Sequence, residues 1–372
     1  MANHLKVFNK AAFVSLFMAV PVQAIEFADA CKAGDKITIG AVGDIMFHSA
    51  LQRDVYSHKN GFNSLWPEVS ALMRKVGVMY GNLESPAAAG VALGGRSRKD
   101  PGPHYDGKVY SGFPLFNVHP SVMKALKAAG VDLISTANNH AMDRGPLGAD
   151  KTIDAANQAG LAFSGSRKAG TTNSTHKIIN KGGWRIGWIS CTYSTNGVPD
   201  PKKQITQCYN GGVSKTIASL KSSVDAVIVT PHWGAEYSTS VNGRQRRFAR
   251  KWLNAGASAV LGAHPHVPQP WEKFKTKDGR EGLVVYSLGN FVSTQGGINK
   301  RSSPLVVVGL TKSGGKAWVN GVRYLPLYML KKPRKVVAAG KNFGFARSYL
   351  AKFYGKERAM SLNDPLITNL EC

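Results

Sequence analysis

Between residues 37 and 310, short apolar runs alternate with stretches of helical periodicity, and most apolar runs end in a small polar cluster. The runs Ile37-Thr38-Ile39-Gly40-Ala41-Val42, Val76-Gly77-Val78-Met79-Tyr80, Val131-Asp132-Leu133-Ile134, Ala226-Val227-Ile228-Val229 and Ala259-Val260-Leu261 are short and mainly apolar. That pattern predicts strands buried on both faces, as in a parallel sheet. Helices are predicted over 120–129, 147–159, 214–223 and 244–255, with Gly130 and Gly256 at two of their stop positions. Further strands are predicted over 184–191, 283–286 and 304–310. The alternation argues for an α/β core. Residues 87–114 break the rhythm with Gly94, Gly95, Pro101, Gly102, Pro103 and Gly112, and predict a long basic loop beside the strand ends.

In parallel sheets ligands collect where strands end. Here those ends carry Gly43-Asp44, Gly81-Asn82-Leu83-Glu84, Asn138-Asn139-His140, Pro231-His232-Trp233-Gly234 and His264-Pro265-His266. Carboxylates, an amide and neutral imidazoles suit a divalent ion such as Mn, Fe or Zn, one or two in number. Asp44, Glu84, Asn139, His232, His264 and His266 are therefore the expected metal ligands. His140 remains free to donate a proton or stabilise a transition state, and Asp143 and Glu236 lie close enough in sequence to orient imidazoles. Gln269 and Asn290 are candidate substrate contacts. In the loop, Arg96, Arg98 and Lys99 are the better candidates for holding a polyanion, because loops beside strand ends carry binding more often than helix exteriors. The basic residues Arg244, Arg246, Arg247, Arg250 and Lys251 read as a solvated helix face.

The chain has 372 residues, enough for a large core, and a formal charge of +26. Lys6 and Lys10 precede an apolar run over 11–20, and Val22-Gln23-Ala24 supplies small residues for cleavage, so residues 1–24 are expected to be an export signal. The run is too short to span a bilayer. Removing it takes away only two of the 26 surplus charges. A soluble exported protein, periplasmic or extracellular, with such a field attracts anionic polymers or phospholipid surfaces. Peripheral contact with a membrane or with capsule machinery fits the same charge. Nucleic acid is not an expected partner, since no nucleic-acid-binding signature is present. Four cysteines, Cys31, Cys191, Cys208 and Cys372, allow three pairings, one of which joins Cys191 to Cys208 and leaves Cys31 for Cys372. None stands in a CxxC arrangement, which argues against thiolate-held zinc.

Taken together, Gly43-Asp44-Ile45-Met46, Gly81-Asn82-Leu83-Glu84-Ser85-Pro86, the stretch from Ala137 to Gly145, His232-Trp233-Gly234-Ala235-Glu236-Tyr237, Gly262-Ala263-His264-Pro265-His266-Val267-Pro268-Gln269 and Tyr286-Ser287-Leu288-Gly289-Asn290-Phe291 resemble the signature series of the CapA family. These capsule-synthesis proteins are associated with poly-γ-glutamate and belong to the metallo-dependent phosphatase-like superfamily. The resemblance implies an α/β/β/α sandwich with mixed sheets and a site at the carboxyl ends of the strands. It implies a divalent-metal site and a role in the synthesis, processing or export of a capsule or envelope polymer, as a metal-dependent hydrolase or, alternatively, as a non-catalytic polyanion-binding component. Two departures from the superfamily stand out. Met46 occupies the position of a histidine in an Asp-x-His motif, with His48 two residues further on, and Glu84 stands where an aspartate bridges two ions. The expected organisation is a signal over 1–24, an extension over 25–36, the CapA-type domain over 37–310 and a C-terminal extension over 311–372 that packs on it.

Overall fold

The computed structural model describes residues 25–366. The export signal expected over 1–24 and the pairing of Cys31 with Cys372 lie outside the described residues. In chain order the elements are β1 (Asp35–Ile45), α1 (Ser49–Ser57), α2 (Pro67–Lys75), β2 (Val78–Leu83), α3 (Ser121–Ala129), β3 (Leu133–Ser135), α4 (Gly145–Gln158), β4 (Ala162–Ser164), β5 (Lys177–Lys181), β6 (Trp184–Thr192) and α5 (Gly212–Leu220). They continue with β7 (Ala226–His232), α6 (Gly243–Ala255), β8 (Ala259–Leu261), β9 (Pro268–Lys275), β10 (Glu281–Leu288), β11 (Asn290–Val292), α7 (Ile298–Arg301), β12 (Ser302–Ser313), β13 (Lys316–Met329), β14 (Val336–Ala338) and α8 (Gly344–Tyr354).

Two mixed sheets result. The larger runs β14-β13-β12-β1-β2-β3-β4 with β11 added beside β1, and the smaller runs β5-β6-β7-β8-β10-β9. Strands β1 to β4 are mutually parallel, as are β6, β7, β8 and β10, while β12, β13, β14, β5 and β9 pair antiparallel with their neighbours. The inner faces meet in one apolar layer, Ile39, Ala41, Val78, Val306 and Val308 from the larger sheet against Trp188, Ile228, Leu261 and Val285 from the smaller. Within it the Tyr80 and Trp188 rings stack at 5.2 Å. Helices α1, α2 and α3 cover the outer face of the larger sheet, and α5 and α6 that of the smaller. This is the expected α/β/β/α sandwich.

Each strand predicted from the apolar runs forms, most of them extended by a few residues. Helices α1 and α2 have no counterpart in the sequence reading. Helix α2 does carry start signals, Pro67 at its first position and Glu68 in its first turn, which the sequence reading passed over. Helix α6 carries a capping box between Asn242 and Gln245. The boundary drawn at Leu310 falls inside β12, and the residues beyond it supply β13 and β14 to the larger sheet.

Backbone register sets up the site. Asp44 of β1 lies across from Asn82 of β2 on one side and Asn290 of β11 on the other. Strand β10 belongs to the smaller sheet and β11 to the larger, so Gly289, at φ +63°, carries the chain from one sheet to the other beside Asp44. Two glycines let backbones close on this crossing. A Cβ on Gly43 would stand 1.9 Å from the Gly289 carbonyl oxygen, and one on Gly262 would stand 2.1 Å from that of Tyr286. Neither backbone can yield easily, because Asp44 N donates to Gly289 O and Gly262 N to Val285 O.

Gly43→Ala is expected to destabilise the protein by about 1–3 kcal/mol, the usual cost of overpacking a filled interior; urea unfolding of the two proteins measures it, and an unchanged midpoint would show that β1 and the crossing can part freely. The Cys191–Cys208 disulfide joins residues 17 apart on β6 and the loop before α5. Replacing both by serine is expected to cost about 3 kcal/mol through the loop entropy regained on unfolding, read in the same assay.

Candidate functional site

The six expected ligands come together at the rim where both sets of parallel strands end. Asp44, Glu84, Asn139, His232, His264 and His266 are all 2 % exposed or less. Strand alternation explains why these side chains face inward. On β7, His232 turns toward the other sheet while its neighbour Trp233 turns outward, stacks on Trp252 of α6 at 5.4 Å and donates to the Tyr286 carbonyl. His264 and His266 sit on the loop after β8 with φ of +99° and +59°. Left-handed backbone at two non-glycine positions in one short loop is strain held in place by its surroundings, and such strain clusters at functional sites.

Around His232 three lone-pair atoms crowd one nitrogen. Its Nε2 lies 2.8 Å from Asn139 Oδ1, 3.1 Å from His264 Nδ1 and 3.4 Å from Glu84 Oε1. A single proton on Nε2 cannot serve all three. Next to it, His266 Nδ1 lies 3.0 Å from Asp44 Oδ2 and 3.1 Å from Asn290 Oδ1, while His266 Nε2 is 3.8 Å from Glu84 Oε1. Glu84, His232 and His264 form one set whose ligand atoms all lie within 4.8 Å of one another, and Asp44, Glu84 and His266 form a second. The two sets share Glu84.

Both oxygens of buried Glu84 lack a hydrogen-bond partner, as do Asn82 Oδ1 and Asn139 Nδ2. An unpaired carboxylate in the interior is expensive, and proteins tolerate it when a cation completes it or a proton neutralises it. The electrostatics favour the neutral form of Glu84. Burial, then the adjacent charge of Asp44, pushes the Glu84 pKa well above the ordinary carboxylate value. Burial would also raise Asp44, but the hydrogen bond and charge of His266 outweigh it and hold Asp44 at about 2. Burial would lower His266, but the charge of Glu84 and the Asp44 contact hold it up at about 9. Desolvation keeps His232 at about 3 and His264 at about 2, so both imidazoles are neutral and have lone pairs to give. The donor set therefore fits one or two divalent ions of the kind that take mixed oxygen and imidazole ligands.

Beside the ligands, His140 Nδ1 is 2.8 Å from Asp143 Oδ2, which also accepts from the Phe116 backbone N–H. Asp143, expected among the catalytic groups, thus acts through His140 by fixing its ring. Burial disfavours the charged form of His140, but the Asp143 hydrogen bond and charge outweigh it and raise the pKa. Phe116 packs edge-on against His140 at 4.7 Å and against His48 at 5.3 Å. When bound, a divalent ion supplies Lewis acidity toward a phosphoryl or carbonyl oxygen. The chain adds a raised, aligned imidazole able to hand a proton to a leaving group.

The expected substrate contacts fare differently. Gln269 is buried and committed: it accepts from Gln245 and donates to the Ser238 and Ser240 carbonyls, so no polar atom is left for a substrate. Asn290 orients His266 with Oδ1 while its amide donates to Gln295 and to the Lys300 carbonyl. Arg96, Arg98 and Lys99 are exposed, and among the described residues none makes a side-chain hydrogen bond or ion pair to a site residue. Their loop does border the site, because Arg144, in the segment after His140, donates to the carbonyls of Val91 and Val109. Glu236 is exposed and reaches the imidazoles of His264 and His266.

Sequence reasoning missed Asn82, whose amide donates to Asp44 Oδ1 at 2.8 Å and lies 3.2 Å from His232 Nδ1. The signal was present: Asn82 precedes Glu84 by two, the spacing that places both on one face of a strand.

Residues 38–295 match the family described as bacterial capsule synthesis protein PGA_cap. The chain is 29% identical over 316 residues to the capsule biosynthesis protein CapA of Bacillus anthracis, covering 81% of this chain and 71% of that one. It is 29% identical over 296 residues to the PGA biosynthesis protein CapA of Bacillus subtilis, covering 75% and 69%. Among solved structures, the calcineurin-like phosphoesterase YfkN of Bacillus subtilis aligns over 87% of this chain and 100% of its own at 14% identity, with a TM-score of 0.47.

Replacing Asp143 by asparagine is expected to lower the His140 pKa, because the carboxylate that offsets burial is gone; an NMR titration of the ion-free protein reads it, and an unmoved value would mean that Asp143 does not control this imidazole.

Proposed function

The chain belongs to the bacterial capsule synthesis protein family, and on that footing we propose that it is an exported, metal-dependent hydrolase acting in the synthesis, processing or export of an anionic envelope polymer such as poly-γ-glutamate. One observation supports this reading above the others: a fully buried carboxylate, Glu84, with no hydrogen bond to either oxygen among the described residues, shared between two sets of converging ligands. A purely structural core has no reason to keep such a group, since an apolar side chain of similar volume there is often neutral or stabilising. His140 is the proton donor, Asp143 its positioning residue, and the strand-end residues hold the ion. The substrate bond is a phosphoester or an amide of the polymer, both of which present an oxygen for the ion and a leaving group for His140.

A second reading is carried by a different observation. Helix α6 exposes Arg244, Arg246, Arg247, Arg250 and Lys251. Arg246 and Arg250 share Glu272, whereas Arg244, Arg247 and Lys251 lie over the Tyr209 and Phe248 rings and have no carboxylate partner among the described residues. This face suits a non-catalytic contact with a polyanion. Binding of that kind weakens with salt and is indifferent to the histidines.

The test combines elemental analysis of the purified protein with a panel of γ-glutamyl and phosphodiester substrates. At least one equivalent of Mn, Fe or Zn and loss of turnover in the Asn139→Ala, His264→Ala double variant are expected; turnover that survives the double substitution removes the hydrolase reading. His140→Ala is expected to lower kcat by roughly 10²–10⁴-fold, the usual worth of a general acid, with metal content unchanged.

A further inference from the structure

The two ligand sets are not equally complete. Around His232, the Asn139 amide oxygen joins Glu84 and His264 to make four protein donors. Around Asp44 there are three, Asp44, Glu84 and His266. The nearest side chains along β1 and the turn after it do not add a fourth. Met46 is buried and offers only a soft thioether, a poor partner for an ion held by oxygen and imidazole. The His48 ring is set edge-on against Phe116 and belongs to none of the ligand sets.

A third set does lie against this shortfall. Glu236, His264 and His266 also bring their ligand atoms within 4.8 Å of one another. Unlike the other donors, Glu236 comes from a loop at the mouth and is exposed. That loop is built to bring it in. Gly234 and Tyr237 are left-handed at φ +99° and +63°, and Tyr237 N donates to the carbonyl of Pro265, the residue between the two histidines. The Tyr237 ring packs 5.8 Å from His266, with Lys300 Nζ 4.6 Å from the ring on its own account. Gln269, itself held by Gln245 of α6, fixes the far end of the loop through the Ser238 and Ser240 carbonyls. In a chain with 48 lysines and arginines against 22 acids, no basic side chain pairs with Glu236 among the described residues. These contacts hold an acid within 4.8 Å of the two imidazoles.

Building on the reading of the strand ends as a divalent-metal site, we infer that Glu236 is a metal ligand, a donor that joins His264 and His266 from the solvent side. Its exposure gives it a distinct role. The buried donors are fixed on strands, whereas a carboxylate on a loop at the mouth can be exchanged for a substrate oxygen without disturbing the sheet.

The experiment is Mn²⁺ binding to the full chain by calorimetry, with ion content checked by elemental analysis, for the unmodified protein and Glu236→Gln. The variant keeps the size of the side chain and removes its charge. Because the residue is exposed, the melting temperature of the ion-free protein is expected to be unchanged, which confirms that the variant folds. In Glu236→Gln the more weakly held ion, or the single ion if the protein holds one, is expected to bind at least about tenfold more weakly. A smaller loss overturns the inference and leaves the metal site standing. An unmodified protein that takes up no Mn²⁺, Fe²⁺ or Zn²⁺ overturns the site reading itself, and this inference with it, before any variant is made.

Discussion

Two carboxylates buried side by side are the constraint around which this molecule is arranged. Asp44 and Glu84 are both fully excluded from water, and like charges at such a distance cannot both stay ionised without compensation. The environment answers in two ways, pushing the Glu84 pKa well above the ordinary carboxylate value and holding His266 up at about 9. A divalent ion held by these groups would offset the same charge. Binding would then be coupled to proton release, as is general where ligands must be deprotonated.

Holding that arrangement requires rigid neighbours on every side, and the topology provides them at one point. The chain leaves the smaller sheet at Leu288, crosses at Gly289 and enters the larger sheet at Asn290. Both close-approach glycines, Gly43 and Gly262, lie against this short crossing, so the ends of β1 and β8 are clamped to the same backbone. A slip of one residue in β1 would turn Asp44 to the opposite face. The hydrogen bond from Asp44 N to Gly289 O and the pairings with Asn82 and Asn290 make that slip costly. The crossing joins the two halves of the ligand set covalently.

Much of this was legible in the chain because each of the six expected ligands lies at or just after the end of a parallel strand, and a buried parallel strand announces itself as a largely apolar run. Asp44, Glu84, Asn139, His232, His264 and His266 were all found that way. What stayed hidden depends on relations between strands or on loop closure. Asn82 lies inside β2, and its role emerges only from the register that sets it across from Asp44. Gln269 looked like a substrate contact because it is polar and close in sequence to His266; its three hydrogen bonds to α6 and the 238–240 loop are long-range and invisible to spacing. Beyond Leu310, strand β13 carries Asn320, Arg323 and Pro326, which blur a period-two pattern.

The contrast between the site and the surface has its own logic. The chain carries a net charge of +26, yet the rim gathers Asp44, Glu84 and Glu236 with imidazoles that are mostly neutral. On the proposed function, a polyanion drawn in by the basic surface, including the α6 cations that have no carboxylate partner among the described residues, would be led toward this rim. Divalent ions held by the carboxylates would offset their negative charge and add to the field of the basic surface. On the proposed function the ion would both admit an anionic polymer toward His140 and supply Lewis acidity, so that the basic surface and the acidic site would work as one device.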